Sequence, residues 1–208
     1  MSLKFCGFIG KSFLLLSGLI AFIIIGCTEG GKDEAKEQPK DAGAKSPAVA
    51  AQNGSYQFGA DILFIPAGNT AKQYQKSGWG NPAPGGTWTT SDSAKLTIPL
   101  AAMPGSQFVK LDAAITKGFL IPGKIKDQLL KIYINGTYVG DMLEDTDKPN
   151  DMRFPAVTFP SSLITEPQID ITFYLPRAAH PDNKGVKDQS VKLGVVLWSI
   201  KLTEANKK

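Results

Sequence analysis

Short apolar runs that alternate with polar residues constrain this chain more than any other feature of its sequence. Leu96 to Leu100, Leu130 to Ile134 and Ile169 to Leu175 each place an apolar side chain at every second position. Such alternation is typical of a strand with one face buried and the other in water. Asn135-Gly136 follows one of these runs directly and favours a two-residue hairpin turn. The sequence therefore predicts antiparallel sheets.

Further strands are expected, and helices are not. The chain holds 14 Pro and 21 Gly, spread between the apolar runs, and only Lys126 to Leu130 is predicted to form a helical turn. Val191 to Leu202 is apolar at consecutive positions from Leu193 to Trp198, which indicates a central strand buried on both sides or one with a bulge. The remaining predicted strands are Tyr56 to Ile65, Gln107 to Ile115, Thr137 to Val139 and Arg153 to Phe159.

The strand pattern predicts one all-β domain over residues 55–208. About eight or nine strands without a long helix between them favour two antiparallel sheets packed face to face. We expect a jelly-roll-like β-sandwich, with a closed barrel as the alternative, because both hide strand edges. Roughly 150 residues are enough for a self-sufficient core.

The N-terminal segment predicts export. Lys4 and Lys11 precede an apolar run, Phe13 to Ile25, that is shorter than the roughly 18 to 20 residues that span a bilayer. The run ends in Ile24-Ile25-Gly26-Cys27, which resembles a bacterial lipobox. The resemblance implies that residues 1–26 are a removed lipoprotein signal peptide and that Cys27 carries lipid.

A lipidated Cys27 implies a place in the cell envelope. A diacylglyceryl thioether with an N-acyl chain holds a protein on a membrane durably, since each buried methylene contributes about 0.8 kcal/mol. Thr28 follows in place of an Asp, and the resemblance then implies the outer membrane of a Gram-negative bacterium. The alternative is that Phe13 to Ile25 stays as an uncleaved anchor.

Residues 27–54 are predicted to be a flexible linker. Residues 28–54 contain no aromatic residue and a single Val as their only large aliphatic side chain, so they have little to bury. A flexible coil of this length reaches roughly 30 Å, which would let the domain move above a membrane.

Composition limits the partners. Once Cys6 leaves with the signal and Cys27 is lipidated, no thiol remains for a disulfide. Cleavage of the signal peptide also removes Lys4 and Lys11 from the 23 basic residues, which leaves a small excess over the 19 acidic ones. No basic stripe with interleaved aromatics is present, so nucleic acid is not an expected partner.

Candidates for catalysis and metal binding are few. His180 is the only histidine, and no Gly-x-Ser-x-Gly elbow accompanies it, so we predict no enzyme of the Ser-His-Asp type. A catalytic carboxylate pair is left open, because its separation cannot be read from sequence. The sequence contains no set of Cys and His residues at the spacing of a zinc site. No cofactor is expected, although Asp145, Asp147 and Asp151 form a candidate calcium loop whose alternative is a solvated acidic loop.

Aromatic residues provide the candidate ligand site. Trp79 and Trp88 flank the turn-rich segment from Gly80 to Gly86, and Tyr138 follows the Asn-Gly turn. Sugars stack on exposed rings and accept hydrogen bonds from side chains such as Arg177, so these four residues are the predicted contacts. The alternative places the tryptophans in the core, where aromatics supply much of the buried area. Trp198, in the most apolar run, is predicted to be core.

Several short motifs are spread over most of the chain from Tyr56 to Leu202. They are Gly78-Trp79, Pro82, Trp88-Thr89, Ala94-Lys95-Leu96, Asn135-Gly136, the Pro176 to Pro181 loop and Leu193-Gly194. Together they resemble a β-sandwich module appended to bacterial membrane enzymes that modify glycans, namely phosphoglycerol-transferase-like proteins and polytopic glycosyltransferases. That resemblance implies a non-catalytic domain working near envelope glycans.

Taken together, the sequence predicts a lipid-anchored envelope protein that binds or positions glycan or a glycan-handling partner. The alternative is a structural or assembly lipoprotein that docks another envelope protein without binding sugar.

Overall fold

A computed structural model of the chain describes residues 54–145, 152–181 and 188–206. The predicted signal peptide, Cys27, nearly all of the predicted linker, and Asp147 and Asp151 of the candidate calcium loop lie outside these residues. The described residues form eleven strands: β1 (Asp61–Leu63), β2 (Gln75–Ser77), β3 (Trp79–Ala83), β4 (Gly86–Thr89), β5 (Ser93–Pro99), β6 (Phe108–Gly118), β7 (Gln128–Ile134), β8 (Thr137–Glu144), β9 (Ala156–Pro160), β10 (Gln168–Tyr174) and β11 (Val195–Ala205).

The strands divide into two antiparallel sheets. One sheet has five strands in the order β2-β5-β10-β7-β8, and the other has six, in the order β3-β4-β11-β6-β9 with β1 paired to β11. The predicted all-β sandwich is confirmed, and the closed barrel is not formed. The sandwich contains two or three more strands than the about eight or nine expected from the alternating runs.

Alternation along the strands separates core from surface. In β7, Leu130, Ile132 and Ile134 are fully buried, whereas Lys131 and Tyr133 between them are only half-buried. The buried positions of both sheets form one apolar cluster. Each such Leu or Ile side chain contributes roughly 1.5 to 3 kcal/mol through burial. The positions between them are the ones left to contact a ligand.

The central strand β11 has the predicted bulge. It pairs with β6 on one side and with β4 and β1 on the other, and its register with β6 shifts around Leu197. Val195 and Leu197 face the core before the shift, and Ile200 and Leu202 face it afterwards. Trp198 is the extra residue and is half-buried outside the apolar cluster. The prediction that Trp198 is a core residue is wrong, because the bulge changes which side chains face inward.

The Asn-Gly turn forms as predicted. Asn135 and Gly136 have φ values of 47° and 81°, and they join β7 to β8 as a tight hairpin. The Asn135 side chain accepts a hydrogen bond from the Asp170 backbone N–H at 2.8 Å and donates one to the Leu163 carbonyl at 2.8 Å. These two bonds tie the turn to Leu163, in the connection between β9 and β10, and to Asp170, near the start of β10.

Two local predictions differ from the structure. The helical turn expected at Lys126 to Leu130 is wrong, because β7 begins at Gln128. Strands β2 to β4 were not expected, since their segment is rich in Gly and Pro. The chain passes from the five-stranded to the six-stranded sheet at Gly78, whose φ is 78°. A Cβ there would lie 2.0 Å from the Ser93 carbonyl oxygen, so only glycine fits this corner.

Within the described ranges, no helix is both long enough and apolar enough to cross a bilayer.

Candidate functional site

The four residues predicted to contact a ligand lie in different parts of the domain. Trp79 packs against the core, Trp88 lies on the outer face of the six-stranded sheet, and Tyr138 lies on the outer face of the five-stranded sheet. Arg177 lies in the connection after β10. The structure therefore does not bring them together in one site.

Trp79 joins the two sheets from the inside. Its ring lies 5.0 Å from that of Phe64 and 6.0 Å from that of Phe173, which are both fully buried. Its indole N–H donates a hydrogen bond of 2.8 Å to the Lys95 carbonyl in the opposite sheet. This satisfied N–H and these ring contacts are those of a structural aromatic residue.

Trp88 borders a cleft on the outer face of the six-stranded sheet. Its neighbours in the chain, Thr87 and Thr89, are buried and bond to backbone carbonyls, so Trp88 itself points outward. The indole makes an edge contact with Phe119 at 6.3 Å. The cleft has a volume of about 440 Å³, and its other lining residues are Ala83, Gly85, Gly86, Thr116, Lys117, Met152 and Val196.

The Trp88 cleft is poor in free polar groups. The Thr116 hydroxyl donates to the Gly85 carbonyl at 2.8 Å, which leaves the Lys117 amine as the main polar side chain at the rim. A sugar presents several hydroxyl groups that each require a partner, and this cleft offers few.

Arg177 has a structural partner. Its guanidinium forms an ion pair with Asp127, just before β7. The Arg177 carbonyl also accepts a hydrogen bond from the Gln128 side chain at 3.3 Å. Arg177 thus ties the connection after β10 to the start of β7.

The outer face of the five-stranded sheet concentrates aromatic and polar side chains. Tyr138 and Tyr174 are 49% and 39% exposed, and Tyr133 is half-buried between them. Strand register aligns polar groups beside the rings. We call this surface the tyrosine face, and its residues are Ser93, Lys95, Lys131, Tyr133, Tyr138, Asp141, Thr172 and Tyr174.

Strand pairing fixes the order of these side chains across the sheet. Thr172 of β10 pairs with Lys95 of β5 on one side and with Tyr133 of β7 on the other, and Tyr133 in turn pairs with Tyr138 of β8. Tyr174 pairs with Ser93 and with Lys131. Tyr174 and Tyr133 are therefore diagonal neighbours, roughly 7 to 8 Å apart at their backbones.

Tyr138 is held in place by its neighbours. Its ring meets that of Tyr133 at 5.7 Å, and the Lys131 ammonium lies 5.3 Å from the ring centre. A hydrogen bond with Asp141 raises the pKa of the Tyr138 hydroxyl above its ordinary value. The Asp141 carboxylate also lies 3.8 Å from Lys131, so it is shared between two partners.

A shallow depression lies between the rings of the tyrosine face. It has a volume of about 370 Å³ and is lined by Ser93, Lys95, Tyr133, Gly136, Thr172 and Tyr174. Two tyrosine rings, the hydroxyls of Ser93 and Thr172 and the Lys95 ammonium group thus converge on one space. Because the residues stand on paired strands, their positions are fixed before any ligand arrives.

Sequence reasoning identified part of this surface. Tyr138 is among the predicted contacts, but Tyr174, Lys95 and Thr172 are not. Alternation in β10 places Tyr174 and Thr172 outward, opposite the buried Ile171 and Phe173. The alternation can be read from the sequence, whereas the placement of β10 between β5 and β7 cannot.

The described residues supply no metal site. Among them, no group of three His, Cys, Asp or Glu side chains is close enough to hold an ion. Asp145 of the candidate calcium loop lies 3.8 Å from Arg153, while Asp147 and Asp151 fall outside the described ranges. The His180 ring nitrogen Nδ1 lies 3.1 Å from the Val191 carbonyl oxygen.

Comparison with known proteins gives little further guidance. No family model and no curated protein matches the chain. Of 21 matching solved chains, one is a family 35 carbohydrate-binding module from an environmental isolate, with 10% identity and a TM-score of 0.35 over 71% of this chain and 88% of that one. Another is dimeric latent PorU from Porphyromonas gingivalis, with 8% identity and a TM-score of 0.34 over 63% of this chain and 12% of that one. At such TM-scores neither likeness carries an argument about ligand or relationship, and the chain is assigned to no family.

Proposed function

We propose that this protein is a non-catalytic, lipid-anchored lipoprotein of the cell envelope that binds glycan on the tyrosine face. The observation that carries the proposal is the convergence of Tyr133 and Tyr174 on one depression with Thr172, Ser93 and Lys95 between and beside them.

The chemistry of this depression suits a sugar. A pyranose ring has a face of C–H groups and an edge of hydroxyls. The C–H face packs on a tyrosine ring, whose π face is negative, while the hydroxyls need donors and acceptors nearby. The tyrosine face offers both within one space, which is the usual composition of a small-molecule site.

The openness of the site predicts weak binding. A shallow depression buries only part of a sugar and leaves the rest in water, so a single site corresponds to a Kd of about 0.1 to 1 mM. Anchoring next to an envelope glycan would offset this weakness, because a tethered site meets its ligand at high effective concentration.

Lipid anchoring at Cys27 is the second part of the proposal. The lipobox-like sequence before Cys27 supports it, as does the following Thr28 for the outer membrane. Replacing Cys27 with Ala should move the protein from the membrane fraction to the soluble fraction. A Cys27→Ala protein that stays with the membrane would rule out lipid as the anchor.

A binding screen tests the glycan part. The full-length protein, extracted in detergent, is applied to a glycan array and to envelope polysaccharides beside its Tyr174→Ala, Thr172→Phe and Trp88→Ala variants. Tyr174→Ala should weaken binding about tenfold through loss of a stacking ring, and Thr172→Phe should abolish binding by filling the depression. Trp88→Ala removes a larger ring from the opposite sheet and should bind like the native protein.

Circular dichroism of each variant separates binding from folding. Loss of binding in folded Trp88→Ala, with Tyr174→Ala unchanged, would move the sugar site to the Trp88 cleft. Failure of the native protein to bind any glycan would refute the proposal and favour the protein-docking alternative.

A further inference from the structure

We infer that the sugar bound on the tyrosine face carries an anionic group, which the Lys95 ammonium holds. The inference rests on the proposed function, since it names the chemical class of the glycan at that same depression.

Lys95 is the only charged residue lining the depression among the described residues, and it has no ion-pair partner there. The other side chains around this space are two tyrosines, a serine, a threonine and a glycine. Four other lysines of the described ranges each lie within ion-pair distance of a carboxylate: Lys110, Lys131, Lys192 and Lys201. Lys95 is exposed, and no described carboxylate lies within 4.0 Å of it.

The backbone of Lys95 is held firmly. It pairs with Thr172 on one side and with Ser77 on the other, and its carbonyl accepts the Trp79 indole hydrogen bond. The side chain therefore starts from a fixed position on a strand that is paired on both sides. Only its four-carbon stem must be ordered when an anion arrives.

The nearby acidic groups lie outside the lining of the depression. Asp141 is already shared between Lys131 and Tyr138 and lies outside the lining residues. Asp170 also faces outward on β10, two residues from Thr172, and it too lies outside the lining. An acidic group placed beside Lys95 thus meets one positive charge and several hydroxyl donors.

A charge-assisted hydrogen bond is roughly twice as strong as a neutral one, so an acidic sugar gains more from Lys95 than a neutral sugar does. Because the site is exposed to water, we expect a preference of about five- to tenfold, decreasing as salt is added. Carboxylate, sulfate and phosphate groups share this chemistry.

Paired polysaccharides that differ only in charge test the inference. The full-length protein in detergent is titrated with polygalacturonate and its methyl ester, with glucuronan and its carboxyl-reduced form, with sulfated and plain dextran, and with phosphomannan before and after dephosphorylation. The pair with the largest ratio identifies the anion. Lys95→Gln is compared with Lys124→Gln, which removes the same charge from an exposed turn that does not line the depression.

The native protein and Lys124→Gln should prefer the acidic member of at least one pair about fivefold or more, and Lys95→Gln should lose that preference. Equal binding of charged and neutral members would overturn the inference while leaving glycan binding intact. A preference that survives in Lys95→Gln would also overturn it. Absence of binding to every polysaccharide would instead refute the proposed function and this inference with it.

Discussion

The outer faces of the two sheets follow the same alternation but offer different chemistry. On the five-stranded sheet, the outward positions hold tyrosines with Thr172, Lys95 and other polar groups between them. On the six-stranded sheet, the cleft beside Trp88 is lined by Val196, Met152, small residues and Lys117, and the Thr116 hydroxyl in it is bonded to the Gly85 carbonyl. Both faces present an aromatic side chain in a concave surface. Among the described lining residues, only those of the first present unbonded hydroxyls beside the rings.

The difference shows that aromatic residues alone do not identify a sugar site. In the sequence, Trp79 and Trp88 are the first candidates for sugar stacking because tryptophan has the largest ring. In the structure, the Trp79 indole N–H is satisfied by a backbone carbonyl, and Trp88 meets Phe119. The smaller tyrosine rings have both exposure and polar neighbours, and these are the properties that a sugar requires.

The largest effect expected from this comparison is on stability. Trp79→Ala removes a ring that contacts Phe64 and Phe173 and should lower the free energy of unfolding by about 3 kcal/mol. Trp88→Ala removes an outward ring and should cost about 1 kcal/mol. Urea denaturation followed by tryptophan fluorescence and circular dichroism measures both. Equal losses in the two variants would mean that Trp88 is as structural as Trp79.

Much of the fold was predictable because alternation is a local property. β5, β7 and β10 each show the period of two in their own residues, and the Asn135-Gly136 turn specifies its hairpin within two positions. β2 to β4 carry no such pattern, since β2 has only three residues and β3 and β4 contain Gly or Pro. They are strands because Gly78 turns the chain between sheets and Trp79 anchors it, and both effects depend on distant residues.

The site was less predictable, for a related reason. Tyr133 and Tyr138 are close in sequence across a hairpin, and their shared orientation can be inferred locally. Tyr174 and Lys95 join them only through pairing of β10 with β7 and β5. Those pairings connect residues tens of positions apart, and a single sequence contains no local signal for them.

The smallest effect expected concerns the hydrogen bond that positions Tyr138. Bonding to Asp141 raises the pKa of the Tyr138 hydroxyl above 10.0, so the interaction is present at neutral pH and is lost as the pH rises through the raised value. Asp141→Asn should therefore lower the pKa of Tyr138 toward its ordinary value. The change is measured by tyrosinate absorbance in a titration against the native protein, with Tyr138→Phe assigning the transition. Tyr74, whose pKa burial raises, is common to all three proteins and cancels in the difference. Identical titrations in the native protein and Asp141→Asn would show that Asp141 does not hold Tyr138 in solution. Tyr138 would then be positioned by its contacts with Tyr133 and Lys131, beside a depression whose own rings are Tyr133 and Tyr174.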